Sequence, residues 1–584
     1  MTFSLPFRLL FMLIPLSLQT RSQLSPEIRL NQEGFYISAT KKAILVGEAK
    51  SDIFFIVSTV GKDTVYAGKA GNIIPSKNSS LLCRTLDFSQ LKKAGTYQLH
   101  IPGTGHSYPF SIIEHPLHQA AIASLKGYYF QRVSMPLDKA YGGKWARPAG
   151  HPDNRVFIHP SAATKERPAG TVISSPGGWY DAGDYNKYIV NSGITMGTLL
   201  SAYEDFPVYF DTLHINIPGS ENVLPDILDE VLYNLRWMLT MQDPYDGGVY
   251  HKCTNADFDG MVMPGATTLP RYAVQKSTAA TLDFAAVTAQ SARILKKFEK
   301  QLPGLSDSCL KASIKAWAWA IKNPALVYDQ DGMNKKYQPK ITTGAYGDNT
   351  LWDEWSWAAS ELFVTTADHK YIAPIMQHIN RSITLPSWAQ VSFTGYYSLI
   401  RHEKTLAPEA KPTVTLLKER VAHFADSLLQ NQQTNAFHTV MGGSPKDFAW
   451  GSNAVAANQG ILLINAFLIT KNKKYLEGAI SNADYILGRN ATGYCFLTGA
   501  GTFSTRDPHH RPSVADGIDD PVPGLLAGGP NPGKQDQCAY AFSEPETTYS
   551  DTNCSYASNE IAINWNAPLV YLLNALEFLY PGLN

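Results

Sequence analysis

The chain has 584 residues, and its 50 Lys plus Arg balance 50 Asp plus Glu to a formal net charge of zero. That length holds two or more domains and a large core, and the even balance offers no electrostatic footing for nucleic acid or an anionic membrane. Aromatic residues reach 11%, with 11 Trp and 30 Tyr; this suits a big core and equally a cleft whose flat rings stack on sugar faces.

In chain order, residues 1–22 read as a secretory signal peptide. Positions 7–18 form an apolar run broken only by Arg8, Pro15 and Ser17, too short to cross a bilayer. Cleavage near Ser22–Gln23 is expected, and no Cys precedes Cys83 to carry a lipid. The reading is a secreted or periplasmic protein without membrane insertion, and a monomer. Six cysteines (83, 253, 309, 495, 538, 554) are too few for a framework. Export permits disulfides, and Cys538 with Cys554 is the candidate pair; buried free thiols remain the alternative.

Residues 26–113 read as a small all-β sandwich. KAILV (42–46), IFFIVS (53–58) and TYQLHI (96–101) are short β-branched or alternating runs separated by Gly, Asn, Lys and Ser clusters. From residue 115 to 584 the apolar period changes to three and four. Helices are expected at 120–131, 192–205, 223–242, 278–298, 306–323, 351–367, 370–379, 414–431, 454–470, 474–487 and 560–579, without intervening strands. The fold class is mainly α, a toroid of helical hairpins. Loops 132–191 and 493–559 exceed the usual connection length, which points to function.

Two stretches carry the chemistry. GGWYDAGDYNKY (177–188) sets Asp181 and Asp184 three residues apart, and YSDTNCSYASNEIAINWNA (549–567) supplies Glu560, with Asp551 nine residues before it. Carboxylates gathered from distant segments suit acid/base cleavage of a glycosidic bond, one donating to the leaving oxygen and one taking a proton from water. Asp181 and Asp184 share a face if the segment turns helically, and Gly183 admits close approach. A capping role for the aspartates is the structural alternative. Glu560 is expected to open the last helix, where the helix dipole favours the charged form. Burial near another carboxylate must overcome that effect for Glu560 to act as an acid.

In order along the chain stand DAGD (181–184), LPDILDE (224–230), MQDPYDGGVYHK (241–252), YGDNTLWDEWSWAASEL (346–362), WGSN (450–453), LGRN (487–490) and PHHRPS (508–513). With these motifs the chain resembles glycoside hydrolase family 9, the endoglucanase (cellulase) family, in its subgroup with an N-terminal immunoglobulin-like domain. The resemblance implies an (α/α)6 barrel, an open cleft, and inverting hydrolysis of β-1,4-glucosidic bonds in a β-glucan polysaccharide. It implies Asp184 as general base, Asp181 as holder of the attacking water and Glu560 as general acid. His509 and Arg511 match the family's H-x-R, and Asp551 matches the aspartate of the final signature. Substrate contacts are expected from Arg511, His510, Tyr180, Trp179 and Tyr556, with Trp450 among further stacking candidates. Xyloglucan, mixed-linkage glucan or exo action on the same fold are the alternatives, and a catalytically dead glycan-binding protein is the rival from another class.

No cofactor is required for this chemistry. Some relatives hold zinc at positions that fall here on Val133, Gly150, His151 and Tyr180; one remaining His predicts no zinc. Relatives bind calcium near the YGD…DE segment, and Asp348, Thr350, Asp353 and Glu354 supply hard oxygens for it. A further Asp expected downstream is missing, where the chain reads Trp388-Ala389-Gln390. The β-domain is expected to brace the barrel.

Overall fold

The computed structural model describes residues 23–48 and 50–583, so the signal segment lies outside the described residues. Ten strands form the N-terminal sandwich: β1 (Ile28–Arg29), β2 (Gly34–Tyr36), β3 (Lys42–Val46), β4 (Ile53–Ser58), β5 (Thr64–Lys69), β6 (Ile73–Pro75), β7 (Leu82–Asp87), β8 (Gly95–Ile101), β9 (Gly105–His106) and β10 (Phe110–Ile113). One sheet runs β1-β3-β7-β6 and the other β2-β10-β8-β4-β5, with β9 on β8. Alternate residues of both sheets meet in a core of Phe35, Phe54, Phe88, Tyr97 and Phe110 with aliphatic neighbours.

Twelve of the α-helices among the described residues build the ring that follows: α1 (His118–Phe130), α2 (Ile189–Asp205), α3 (Asp226–Thr240), α4 (Thr278–Leu295), α5 (Leu305–Lys322), α6 (Trp352–Thr366), α7 (Ile372–His378), α8 (Ser392–Arg401), α9 (Lys411–Leu429), α10 (Ser452–Thr470), α11 (Lys473–Ile486) and α12 (Ile563–Leu579). The even-numbered helices are buried almost all round, whereas α3, α5 and α9 bury one stripe each. Successive inner helices pack on one another from α10 through α12 and back through α2, α4 and α6 to α8, with α9 bridging α8 to α10, and each packs an outer partner, as α4 does α5 and α10 does α11. This is the (α/α)6 barrel. Helix α10 has the length and hydropathy of a membrane span, and its side chains are mostly enclosed in this ring.

Two expectations are corrected. Helix α8 (SFTGYYSLIR) is absent from the sequence reading, because it is only ten residues long and is built largely from Ser, Thr, Gly and aromatic residues, which are weak helix formers. A Cβ on its Gly395 would sit 2.9 Å from the Trp357 Cα, so glycine there lets α8 press against α6. The helical region also contains strands. A five-stranded sheet, ordered β12-β11-β15-β14-β13, is built from β11 (Val156–Ile158), β12 (Val172–Ile173), β13 (Lys187–Tyr188), β14 (Lys252–Thr254) and β15 (Arg271–Ala273). Runs of two or three residues are too short to register as periodicity, and this sheet carries the chain from Asp184 into α2.

The sandwich is fastened to the barrel at many points. Asn31 Nδ2 donates to Asp484 at 2.8 Å, and Tyr36 Oη donates to Glu577 on α12 at 2.8 Å while its ring stacks on Tyr580. Gln32 Oε1 accepts the backbone N–H groups of Thr502 and Phe503. Cys538 and Cys554 form a disulfide across the loop before Glu560, and the other four cysteines are buried free thiols.

Candidate active site

Asp181 and Asp184 lie in an irregular bend leading into β13, not on a helical turn. The Asp181 N–H closes that bend on Asn186 O at 3.0 Å. A Cβ at Gly183 would come within 2.0 Å of the His509 carbonyl oxygen, so glycine is what lets the 508–511 loop close over the pair. Arg511 clamps the contact: its backbone N–H and Nη1 both donate to Gly183 O, at 3.2 and 2.7 Å.

Each aspartate is held differently. Asp181 is almost wholly enclosed; both its oxygens accept from Asn191 Nδ2, and Oδ2 also accepts from Tyr346 Oη at 2.9 Å. Burial, then the charge of Asp184, pushes its carboxyl up to about 8, against those hydrogen bonds. Asp184 Oδ2 accepts from Asn186 Nδ2 at 2.5 Å and Tyr188 Oη at 3.1 Å, and its Oδ1 has no protein partner. One oxygen is thus anchored and the other is buried and unpartnered.

Glu560 does not open the last helix. It follows a helical turn at Tyr556–Asn559, is itself extended (φ −68°, ψ 154°), and forms a bridge with His509; α12 begins three residues later. The helix-dipole objection to an acid role therefore falls away. Its carboxyl is pushed well above the usual range by burial first, then by Asp184 and Asp181; Arg511 and the Gly183 N–H act in the opposite sense. Asp181, Asp184 and Glu560 thus share one electrostatic site, although 376 residues separate the last two in the chain. The α12 Ile563 N–H donates to Asp181 O at 2.8 Å, tying the far end of the chain to the first aspartate.

Other expected site residues fall into two groups. His509 is half-buried, with Nδ1 against Asn553 O at 2.6 Å, and its ring meets Tyr556 edge-on; Tyr556 in turn neighbours the exposed Trp450. These three rings form an aromatic row beginning beside Glu560. Arg511 is fixed beneath the site as described. By contrast, Trp179, Tyr180 and His510 are buried and corrected from substrate contacts to internal supports. Trp179 Nε1 donates to Glu230 at 2.8 Å, Tyr180 Oη bonds His151 Nδ1, and His510 is spent between Ser513 and Gln131. The Asp551 oxygens accept the N–H groups of Arg506 and Asp507 and the Asn559 amide, which shapes the loop before His509.

The sequence reading missed Tyr346 and Tyr188, the hydroxyl donors to the two aspartates. Their rings meet edge-on at 4.8 Å, and Tyr346 also meets Trp388. The signals were Tyr346's place in the YGD motif and Tyr188's at the end of GGWYDAGDYNKY. Of the positions matching the relatives' zinc ligands, Val133 and Tyr180 pack together, His151 bonds Tyr180, and the Gly150 carbonyl accepts from Ser134 N–H. Burial pushes the His151 imidazole down to about 3. In the segment read for calcium, Asp348 Oδ2, Asp353 Oδ1 and both Glu354 oxygens are buried without protein partners, as are both oxygens of Asp283 on α4. Each of these carboxyls is pushed upward, by burial first. Thr350 is exposed and gives its N–H to Asp348.

Comparison with known proteins agrees with this architecture. The family model for glycosyl hydrolase family 9 matches residues 118–573, and that for the cellulase N-terminal ig-like domain matches 23–106. The chain is 47% identical over 553 residues, 94% of either chain, to the xyloglucan-specific endo-beta-1,4-glucanase BoGH9A of Bacteroides ovatus. It is 32% identical over 558 residues to endoglucanase D of Acetivibrio thermocellus, covering 94% of this chain and 83% of that one. Among solved structures, Bacteroides ovatus GH9 superposes with a TM-score of 0.91 at 46% identity, over 95% of this chain and 99% of that one. AaCel9A in complex with cellobiose-like isofagomine gives 0.84 at 30% identity, over 94% of this chain and 100% of that one. The chain belongs to glycosyl hydrolase family 9, as a glycoside hydrolase of the endo-β-1,4-glucanase type with an N-terminal immunoglobulin-like domain.

Proposed function

We propose that Glu560 is the general acid and Asp184 the general base of an inverting cleavage within β-1,4-glucan chains. Glu560, kept protonated, donates to the glycosidic oxygen as the bond to the anomeric carbon breaks. Asp184 takes a proton from a water that Asp181 helps orient, and that water attacks the anomeric carbon from the opposite face. The product carries the inverted α-anomer, and Glu560 and Asp184 exchange protons with solvent to reset. The observation that carries this reading is the upward shift of the Glu560 carboxyl beside two aspartates. His509, Tyr556 and Trp450 are assigned to sugar binding, and Arg511 to fixing the two active-site segments. A second reading, preference for xyloglucan over unbranched cellulose-like glucan, is favoured by the 47% identity to a xyloglucan-specific relative. A substrate panel followed by NMR of the product anomers tests both; β-anomers as first products refute inversion, and release of short units only from chain ends refutes internal cleavage.

The same reading includes export directed by residues 1–22 and a monomeric mature protein, tested by N-terminal sequencing of secreted enzyme and by its sedimentation. Calcium fits the donor chemistry of Asp348, Asp353, Glu354 and Asp283, whose unpartnered buried oxygens are hard and anionic. Among the described residues no three His, Cys, Asp or Glu side chains form a ready ligand shell, so these carboxylates would have to draw inward. Bound there, calcium would supply charge neutralisation. A melting temperature raised by millimolar calcium and lowered by chelator supports this; no response to either refutes it.

A further inference from the structure

Residues 255–270 connect β14 to β15 as a 16-residue loop, far longer than a hairpin needs. Its polar groups point inward. Asp259 accepts from Asn255 Nδ2 at 2.6 Å and Thr267 Oγ1 at 2.5 Å, and its carbonyl accepts from Arg511 Nε at 2.9 Å. The Val262 carbonyl accepts from Tyr185 Oη at 2.5 Å. The loop is thereby tied to Arg511, which clamps Gly183 between the two aspartates, and to the residue following Asp184.

Its apolar groups point outward. Phe258 is 47% exposed, Met261 39%, Val262 38% and Leu269 48%. One exposed apolar side chain needs no explanation, but four on one loop, anchored from below by the buried Asn255 and Asp259, mark a binding surface. Phe258 fixes where that surface begins: the Arg511 guanidinium carbon lies 5.7 Å from its ring centroid. The surface is therefore continuous with the catalytic segment through Arg511.

We propose that this loop is the wall of the cleft that receives sugar branches of the glucan next to the cleavage point, with Phe258 and Met261 as its contact residues. The inference rests on the glucanase reading of the site and adds a determinant for branched substrate. Alternate rings of a β-1,4-glucan are turned over, so substituents on the 6-oxygens leave the backbone on both sides. A pentose branch lacks a hydroxymethyl arm and offers flat C–H faces, which suit a phenyl ring and a polarizable thioether. Hydroxyls around its edge remain in water.

The test compares kcat/KM for a xylose-branched glucan oligosaccharide with that for an unbranched cello-oligosaccharide of equal backbone length, in wild type, Phe258→Ala and Met261→Ser. Both positions are solvent-facing, and melting temperature checks the fold. The expected result is a fall of about fivefold in the branched-to-unbranched ratio for Phe258→Ala, corresponding to about 1 kcal/mol, and a smaller fall for Met261→Ser. An unchanged ratio in both variants overturns the proposal. Wild type that cleaves the unbranched chain but not the branched one also overturns it and leaves the glucanase reading standing; wild type inactive on both overturns the two together.

Discussion

Replacing Glu560 by Gln keeps the shape of the side chain and removes its transferable proton. The carboxyl is raised by burial and by Asp184 and Asp181, so wild type holds the acid form where an ordinary glutamate would be charged. General acid catalysis contributes about 10²–10⁴ in rate, or about 3–5.5 kcal/mol of barrier. E560Q should therefore lose about that factor in kcat on a cello-oligosaccharide, whose alkoxide leaves poorly without a proton. An aryl cellobioside with a strongly acidic phenol leaves without help, so E560Q should retain most of its rate on it. The assay is initial rate on both substrates, with the melting temperature of the variant as a fold check. Equal loss on both, or full activity on the oligosaccharide, would refute the acid role of Glu560.

Four further outcomes follow from the same geometry. Asp184→Asn should abolish turnover on both substrates alike, because the water-activating base is needed whatever the leaving group; this is read by the same rates. Asp181 has a folded-state value of about 8, above the ordinary aspartate value of about 4. Its contribution to stability is therefore complete below about pH 4 and is lost as pH rises through 8. Asp181→Asn should gain melting temperature relative to wild type between pH 5 and pH 9, and a difference that shrinks as pH rises contradicts this. Trp450→Ala should raise KM for cello-oligosaccharides about fivefold with little change in kcat, since it removes one stacking ring worth about 1 kcal/mol; a pure kcat effect would speak against a binding role. Glu577→Ala should lower stability by about 1.5–3 kcal/mol, because its carboxylate accepts from Tyr36 Oη and the Leu117 N–H, and its loss strands both donors. Denaturant midpoints check this, and no change there removes the brace role assigned to the sandwich.

What could be read from the sequence divides by physical cause. The outer helices announce themselves through one-sided apolar stripes, and Asp181, Asp184 and Glu560 through their motifs. Helix α8 and the five short strands do not, since ten residues of Ser, Thr, Gly and aromatics make a weak helix signal and strands of two or three residues have no period. Side-chain direction is equally hidden. Trp179 and Tyr180 adjoin the aspartates in sequence, yet both turn into the interior toward Glu230 and His151. Tyr346 lies 165 residues from Asp181 and still donates to it. Glu560 belongs to an extended bridge because His509 pairs with it, a tertiary contact that no local pattern encodes.

Helix α12 has a consequence for biosynthesis. Its first N–H holds Asp181, and near its other end Glu577 grips the sandwich through Tyr36 and the start of α1 through Leu117. Neither the proton donor nor the staple that joins both modules exists until residues 560–577 are made. A nascent polypeptide emerging from the ribosome is therefore inert until that segment has followed the rest, and shortened products ending before residue 560 should be both inactive and poorly assembled.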